Sequence, residues 1–142
     1  MIRSTSWCFM LVLAGFLTSS CNQGKKTTPR TGPRALEILF LGHDSEHHPS
    51  ATYMPMLASV LSKEGINFTY TSNTDDLNEN LLNQYDGLMI YANHTEIKPE
   101  QEKALLDYVA SGHAFIPLHC ASFCFQNSPD YLDLVGGQFH KH

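Results

Sequence analysis

The 142-residue chain carries few charges, since Asp, Glu, Lys and Arg together make up only 16% of it. With 42% hydrophobic residues, this excludes a self-repelling disordered chain and fits a globular one. Basic residues are the scarcer sign, nine against fourteen acids, for a net charge of -5. The few that occur do not gather on one face of the domain. That argues against a nucleic-acid partner, because polyanions reward clustered Lys and Arg. Long apolar runs are also missing. The longest, residues 7–17 (WCFMLVLAGFL), is too short to span a bilayer as a helix. The four cysteines include a single C-x-x-x-C pair, Cys120 and Cys124, and no second pair to complete a zinc site. No repeat or low-complexity stretch is visible, and the length suits one domain.

The short apolar run reads instead as part of an export signal. Arg3 supplies the positive start, residues 7–17 the apolar centre, and Thr18-Ser19-Ser20-Cys21 a lipobox whose Cys21 thiol takes the lipid. The alternative is an ordinary secretory signal cut near Ser20. Residues 1–20 are then a signal peptide, and residues 21–34 are a lipidated cysteine and a polar tether containing Gly and Pro. The folded domain occupies residues 35–142. This places the protein in a bacterial cell envelope, held to the membrane by its N-terminal lipid. Cys120 and Cys124 are left in an oxidising compartment, where a disulfide between them is one option.

Within the domain, short apolar runs alternate with helical patterns. Residues 35–41 (ALEILFL), 67–71 (NFTYT), 87–91 (GLMIY) and 113–118 (HAFIPL) read as strands. Tyr53, Leu57, Val60 and Leu61 recur at helical spacing, with Gly65 as the stop. Asp75 or Asp76 is placed to cap a short helix bearing Leu77, Leu81 and Leu82. Pro99, Glu100 and Glu102 open a further helix that buries Leu105, Tyr108 and Val109 and ends at Gly112. Ser128-Pro129 opens the last, with Tyr131, Leu132 and Val135 inward and Gly136-Gly137 after it. Such alternation predicts βαβ units and a parallel sheet, whose ligands bind at the carboxyl ends of the strands. The chain stops at His142 with no closing element, which reads as the N-terminal portion of a longer domain.

The placement of the eight histidines gives the functional signal. His43, His47 and His48 follow the first strand, Asn93-His94 the third, and His119 the fourth, while His140 and His142 follow the Gly-Gly turn. Imidazoles at one sheet edge can act as acids, bases or metal ligands. His119 stands where related α/β enzymes place an elbow that holds a reactive side chain above the sheet. A thiol one residue later, Cys120, then points elsewhere, which speaks against Cys-His amidotransferase chemistry. Asp44 and Glu46 join His47 and His48 as candidates for a metal or sugar site. Asn93 and His94 can hydrogen-bond sugar hydroxyls.

These residues also carry a resemblance. Residues 116–122 (IPLHCAS), followed by residues 131–142 (YLDLVGGQFHKH), look like the signature of the ThuA (trehalose-utilisation) family. That signature is a strand ending in His, then a small residue, then Leu-Val-Gly-Gly-x-Phe-x-x-His, with His142 on the family's histidine. The loop 42–49 and the helix 99–109 resemble the same proteins. The resemblance covers residues 35–142. It implies a class I glutamine-amidotransferase-like, flavodoxin-like α/β fold: a three-layer sandwich around a parallel sheet, here C-terminally incomplete. It also implies action on trehalose-type disaccharides or keto-sugars. Carried onto this chain, the catalytic candidates are His119 and His142. The substrate-binding candidates are His47, His48, Asn93 and Cys120. A divalent metal, if used, has His43, His119 and His142 as candidate ligands. A non-catalytic carbohydrate-binding module and a Cys-dependent hydrolase or amidotransferase are the alternative functions. Family domains are longer than this chain, and many carry Gly where Cys120 stands.

Overall fold

A computed structural model describes residues 33–43 and 45–140. The signal, Cys21 and most of the tether, together with Asp44 and His142, lie outside the described residues. Four strands, β1 (Leu36–Leu41), β2 (Ile66–Thr71), β3 (Gly87–Ile90) and β4 (Ala114–Pro117), form one sheet in the order β2-β1-β3-β4. Every pairing is parallel, with Leu39 opposite both Thr69 and Leu88, and Met89 opposite Ile116. The helices are α1 (Ser50–Leu61), the single-turn α2 (Glu79–Leu82), α3 (Pro99–Ala110) and α4 (Pro129–Val135).

Alternation along β1 explains the layers. Leu39 and Leu41 face one way, with Leu88 and Ile90 of β3, and join Leu77, Leu82, Leu105 and Tyr108 from the α2–α3 side. Ile38 and Phe40 face the other way with Met89 and meet Met54 and Leu57 of α1. Both faces of the inner strands are thus covered, which is why they read as nearly continuous apolar runs. Each fully buried Leu or Ile contributes roughly 1.5–3 kcal/mol. The result is a three-layer, flavodoxin-like α/β sandwich.

Several local expectations are corrected. Of the residues that recur at helical spacing on α1, Tyr53 and Val60 are exposed, at 43% and 63%. The sheet meets α1 along Met54 and Leu57 instead, one position round the helix. Neither Asp75 nor Asp76 caps α2. Asn78 does, its side chain accepting from Leu81 N–H, while Asn73 caps the 3-10 turn Thr74–Asp76 that precedes it. Asp75 accepts hydrogen bonds from Lys98 and Gln101. Gln101 is itself buried at the start of α3, where its Oε1 accepts from Lys98 N–H. Cys120 and Cys124 are free thiols, not a disulfide. The expected opening of α4 is observed: Ser128 Oγ accepts from Tyr131 N–H, Pro129 takes the first helical position, and Gly136 ends the helix at φ +86°. Among the described residues, no helix is long and apolar enough to cross a membrane.

Candidate functional site

From β1 the chain runs through α1 to β2 on one side, then crosses to β3 and β4 on the other. The strand order reverses between β1 and β3, so their outgoing loops splay apart and leave a crevice at the carboxyl edge. A pocket of about 600 Å³ opens there. Ser45, His47 and His48 reach it from the loop after β1, and Asn93 from the loop after β3. His119, Cys120, Ser122 and Phe123 reach it from the segment after β4, and Phe139 from beyond α4. Five residues singled out in the sequence therefore share one cavity.

His119 has a left-handed backbone that it shares, among the described non-glycine residues, with Phe125. Leu118 is extended, His119 takes a left-handed φ of +46°, and a 3-10 turn runs on through Phe123. A left-handed non-glycine residue costs roughly 1–2 kcal/mol. The surrounding bonds hold it: Leu118 N–H donates to Ile90 O, and Ala121 N–H to Leu118 O. This strand–turn–helix elbow lifts His119 into solvent while Cys120, the next residue, is buried. The His119 ring stands 4.8 Å from that of His48, edge to face, and 6.2 Å from Tyr91. The Tyr91 hydroxyl lies 3.5 Å from His48 Nδ1, and the Tyr53 ring stands 5.9 Å from that of Tyr91, edge to face. Burial raises the Tyr91 phenol above its ordinary value, so it keeps its proton at neutral pH and can donate.

The loops that carry these groups are tied down. Ser50, fully buried at the start of α1, accepts from His43 N–H and donates to His43 O, with Tyr70 Oη at 3.1 Å. His94 Nε2 lies 3.0 Å from Gly42 O; a carbonyl only accepts, so Nε2 carries the proton. His94 is thus a strut between the β1 and β3 loops rather than a pocket residue. Phe125 N–H and Gln126 N–H donate to His94 O and Thr95 O, which fixes the β3 loop to the segment after β4.

The remaining candidates fall elsewhere. His43 is buried beside His94 and is not among the pocket residues. Glu46 is exposed, and His113 stacks on Tyr108 at 4.1 Å at the opposite edge of the sheet. Among the described residues, no three His, Cys, Asp or Glu side chains come together as metal ligands would. Burial pushes the Cys120 thiol up to about 11 and the Cys124 thiol up to about 12. Cys124 also donates to Ala92 O at 2.8 Å. Both are poor nucleophiles at neutral pH, because the thiolate is the reactive form. Ser45, Ser122, Phe123 and Phe139 are pocket residues to which the sequence assigned no role. Of the two phenylalanines, only Phe139 carried a signal, as the Phe of the Gly-Gly-x-Phe run.

Comparison with known proteins agrees with this architecture. The crystal structure of a ThuA-like protein from Bacteroides uniformis superposes with a TM-score of 0.60 at 15% sequence identity, a match that supports the fold alone. It covers 80% of this chain and 48% of that one, so the chain spans about half the length of its structural neighbour. Among curated proteins no relative matches. Residues 37–142 match the profile of the ThuA family, described as trehalose utilisation, and the chain belongs to that family.

Proposed function

We propose that this chain belongs to an exported, lipid-anchored envelope protein that acts on trehalose-type sugars or their keto derivatives. The observation that carries the chemistry is the 4.8 Å contact between the His48 and His119 rings inside a pocket at the strand-order reversal. Two imidazoles at that spacing can work on one substrate from neighbouring positions. One takes a proton from the carbon beside a keto carbonyl, whose C–H electron pair becomes the C=C of an enediol, while the other gives a proton to the carbonyl oxygen. One proton leaves the sugar and one arrives, so no further reagent is needed. His119 is the stronger candidate for the base, since its left-handed backbone fixes it at the pocket. Asn93 and His47 supply polar groups for the hydroxyl rim. The described side chains alone do not form a metal site, so this reading rests on the imidazoles themselves.

The test is turnover of a panel of keto-disaccharides by the full chain and by His119→Ala. Unchanged turnover in the variant would remove the acid/base reading. Binding without turnover in both proteins would favour the alternative, a non-catalytic carbohydrate-binding module. The raised thiols and the burial of Cys124 weigh against a Cys-dependent hydrolase. Anchoring is tested separately: Cys21→Ser should move the protein from the membrane fraction to the soluble one.

A further inference from the structure

We propose that Phe123 and Phe139 form an aromatic corner of the pocket, a platform in which one phenyl face stacks on the C–H face of a gluco-configured pyranose ring while the other ring, set edge to face, walls its side. This rests on the sugar reading above. The two phenyl rings lie 6.3 Å apart, inclined at 61°, and both line the pocket. Phe40, Phe125 and Tyr131, by contrast, are spent on the core, at most 1% exposed. Phe139 is instead 38% exposed, although Phe139 N–H donates to Ser122 O at 3.0 Å and so holds its backbone against the segment after β4. An apolar ring held at a pocket wall, next to polar residues, is the arrangement of an amphipathic ligand site.

The division of the pocket follows from the strand order. His47, His48 and Asn93 come from loops of the inner strands β1 and β3. Phe123 and Phe139 come from segments beyond the outer strand β4, which also bring His119 and Ser122, so polar groups border the phenyl rings on that side too. A pyranose ring has the same division, with C–H bonds above and below and hydroxyls around its rim. Lying on one phenyl face with the other ring at its side, it turns its rim toward the imidazoles and the Asn93 amide. A ring with every hydroxyl equatorial keeps its C–H faces unbroken, whereas an axial hydroxyl on the stacked face is desolvated against phenyl with no partner. The platform thus selects for configuration as well as for sugar.

The test is saturation-transfer NMR on the full chain with trehalose and a keto-disaccharide as probes, irradiating the phenyl protons, together with binding constants for Phe123→Leu, Phe139→Leu and Phe139→Tyr. The expected result is transfer concentrated on the C–H protons of one ring face. Each Leu variant should bind roughly tenfold more weakly, and the Tyr variant should bind as the parent does. Equal binding by the parent and both Leu variants would overturn the platform and leave the sugar reading standing. No binding of either trehalose or a keto-disaccharide by the parent would overturn both. Should a Leu variant fail to fold, the transfer map of the parent decides alone, and even transfer around the hydroxyl rim would overturn the platform.

Discussion

The imidazole of His119 stands edge to face on that of His48, with 4.8 Å between ring centroids. One ring comes from the elbow after β4 and the other from the loop after β1, so the contact exists only once both loops are set. If the two act as one acid/base unit, removing either removes most of the effect. His119→Ala and His48→Ala should each lower turnover of a keto-disaccharide by about 10²–10⁴-fold. The double variant should be little worse than the poorer single one, because groups acting as a unit are non-additive. Steady-state kinetics on the three variants decide this, and multiplicative losses would show independent roles.

Gly42 lies where β1 leaves the sheet, and its lack of a side chain is a packing requirement. A Cβ there would fall 2.4 Å from Ser50 Oγ and 2.5 Å from Tyr70 Cε2. Neither neighbour is free to yield, since Ser50 is buried and bonded to both backbone groups of His43. Gly42→Ala should therefore destabilise the fold by about 1–3 kcal/mol, as overpacking does. Urea unfolding should report it as a lower midpoint with an unchanged slope.

Cys120 lines the pocket but is buried, and its thiol is pushed up to about 11. Alkylation of the native protein by iodoacetamide should be slow at neutral pH and accelerate as pH rises toward that value. Denatured protein should react at the ordinary thiol value, roughly 8.5. The linkage has a fixed sign. Between those two values the unfolded chain has lost its thiol proton and the folded one has not, so stability falls as pH rises through that window. Fast labelling of native Cys120 at neutral pH would show that the thiol is ionised, and would revive a Cys-dependent mechanism.

Much of this was legible in the sequence because the inner strands are buried on both faces. Residues 35–41 and 87–91 could be little else than buried strands, and their order relative to the helices predicted a parallel sheet. The convergence of His47, His48, Asn93 and His119 followed, since loops after parallel strands share an edge. What could not be read was which ring points into the pocket. His43 and His94 sit in the same two loops, yet they are packed beneath the pocket, with His94 bonded to Gly42 O. Phe123 was invisible for a related reason, as nothing in an apolar residue distinguishes core from pocket wall until its neighbours are known. The outward placement of Tyr53 and Val60 shows the same limit on α1, where helical spacing gives the period and tertiary contact chooses the face.

Asp86 offers a control at the other end of the sheet. Its carboxylate accepts hydrogen bonds from the Arg34 guanidinium and, at 2.8 Å, from Glu37 N–H. Its own N–H donates to Glu37 O and its carbonyl accepts from Ala114 N–H, so one residue joins the starts of β1, β3 and β4. The Arg34 hydrogen bond first, then that from Glu37 N–H, holds the carboxyl below the usual aspartate range. A lowered carboxylate stabilises the fold above its unfolded value, and that contribution disappears as pH falls through the lowered one. Asp86→Asn should therefore flatten the acid limb of the stability curve from the unfolded aspartate value, roughly pH 4, downward. Urea midpoints across that range measure it. Turnover should stay unchanged at neutral pH, because the pocket lies at the carboxyl ends of the strands and Asp86 at their amino ends. A turnover loss in Asp86→Asn without a change in the acid limb would mean that the site depends on this edge of the sheet and is not confined to the loops above it.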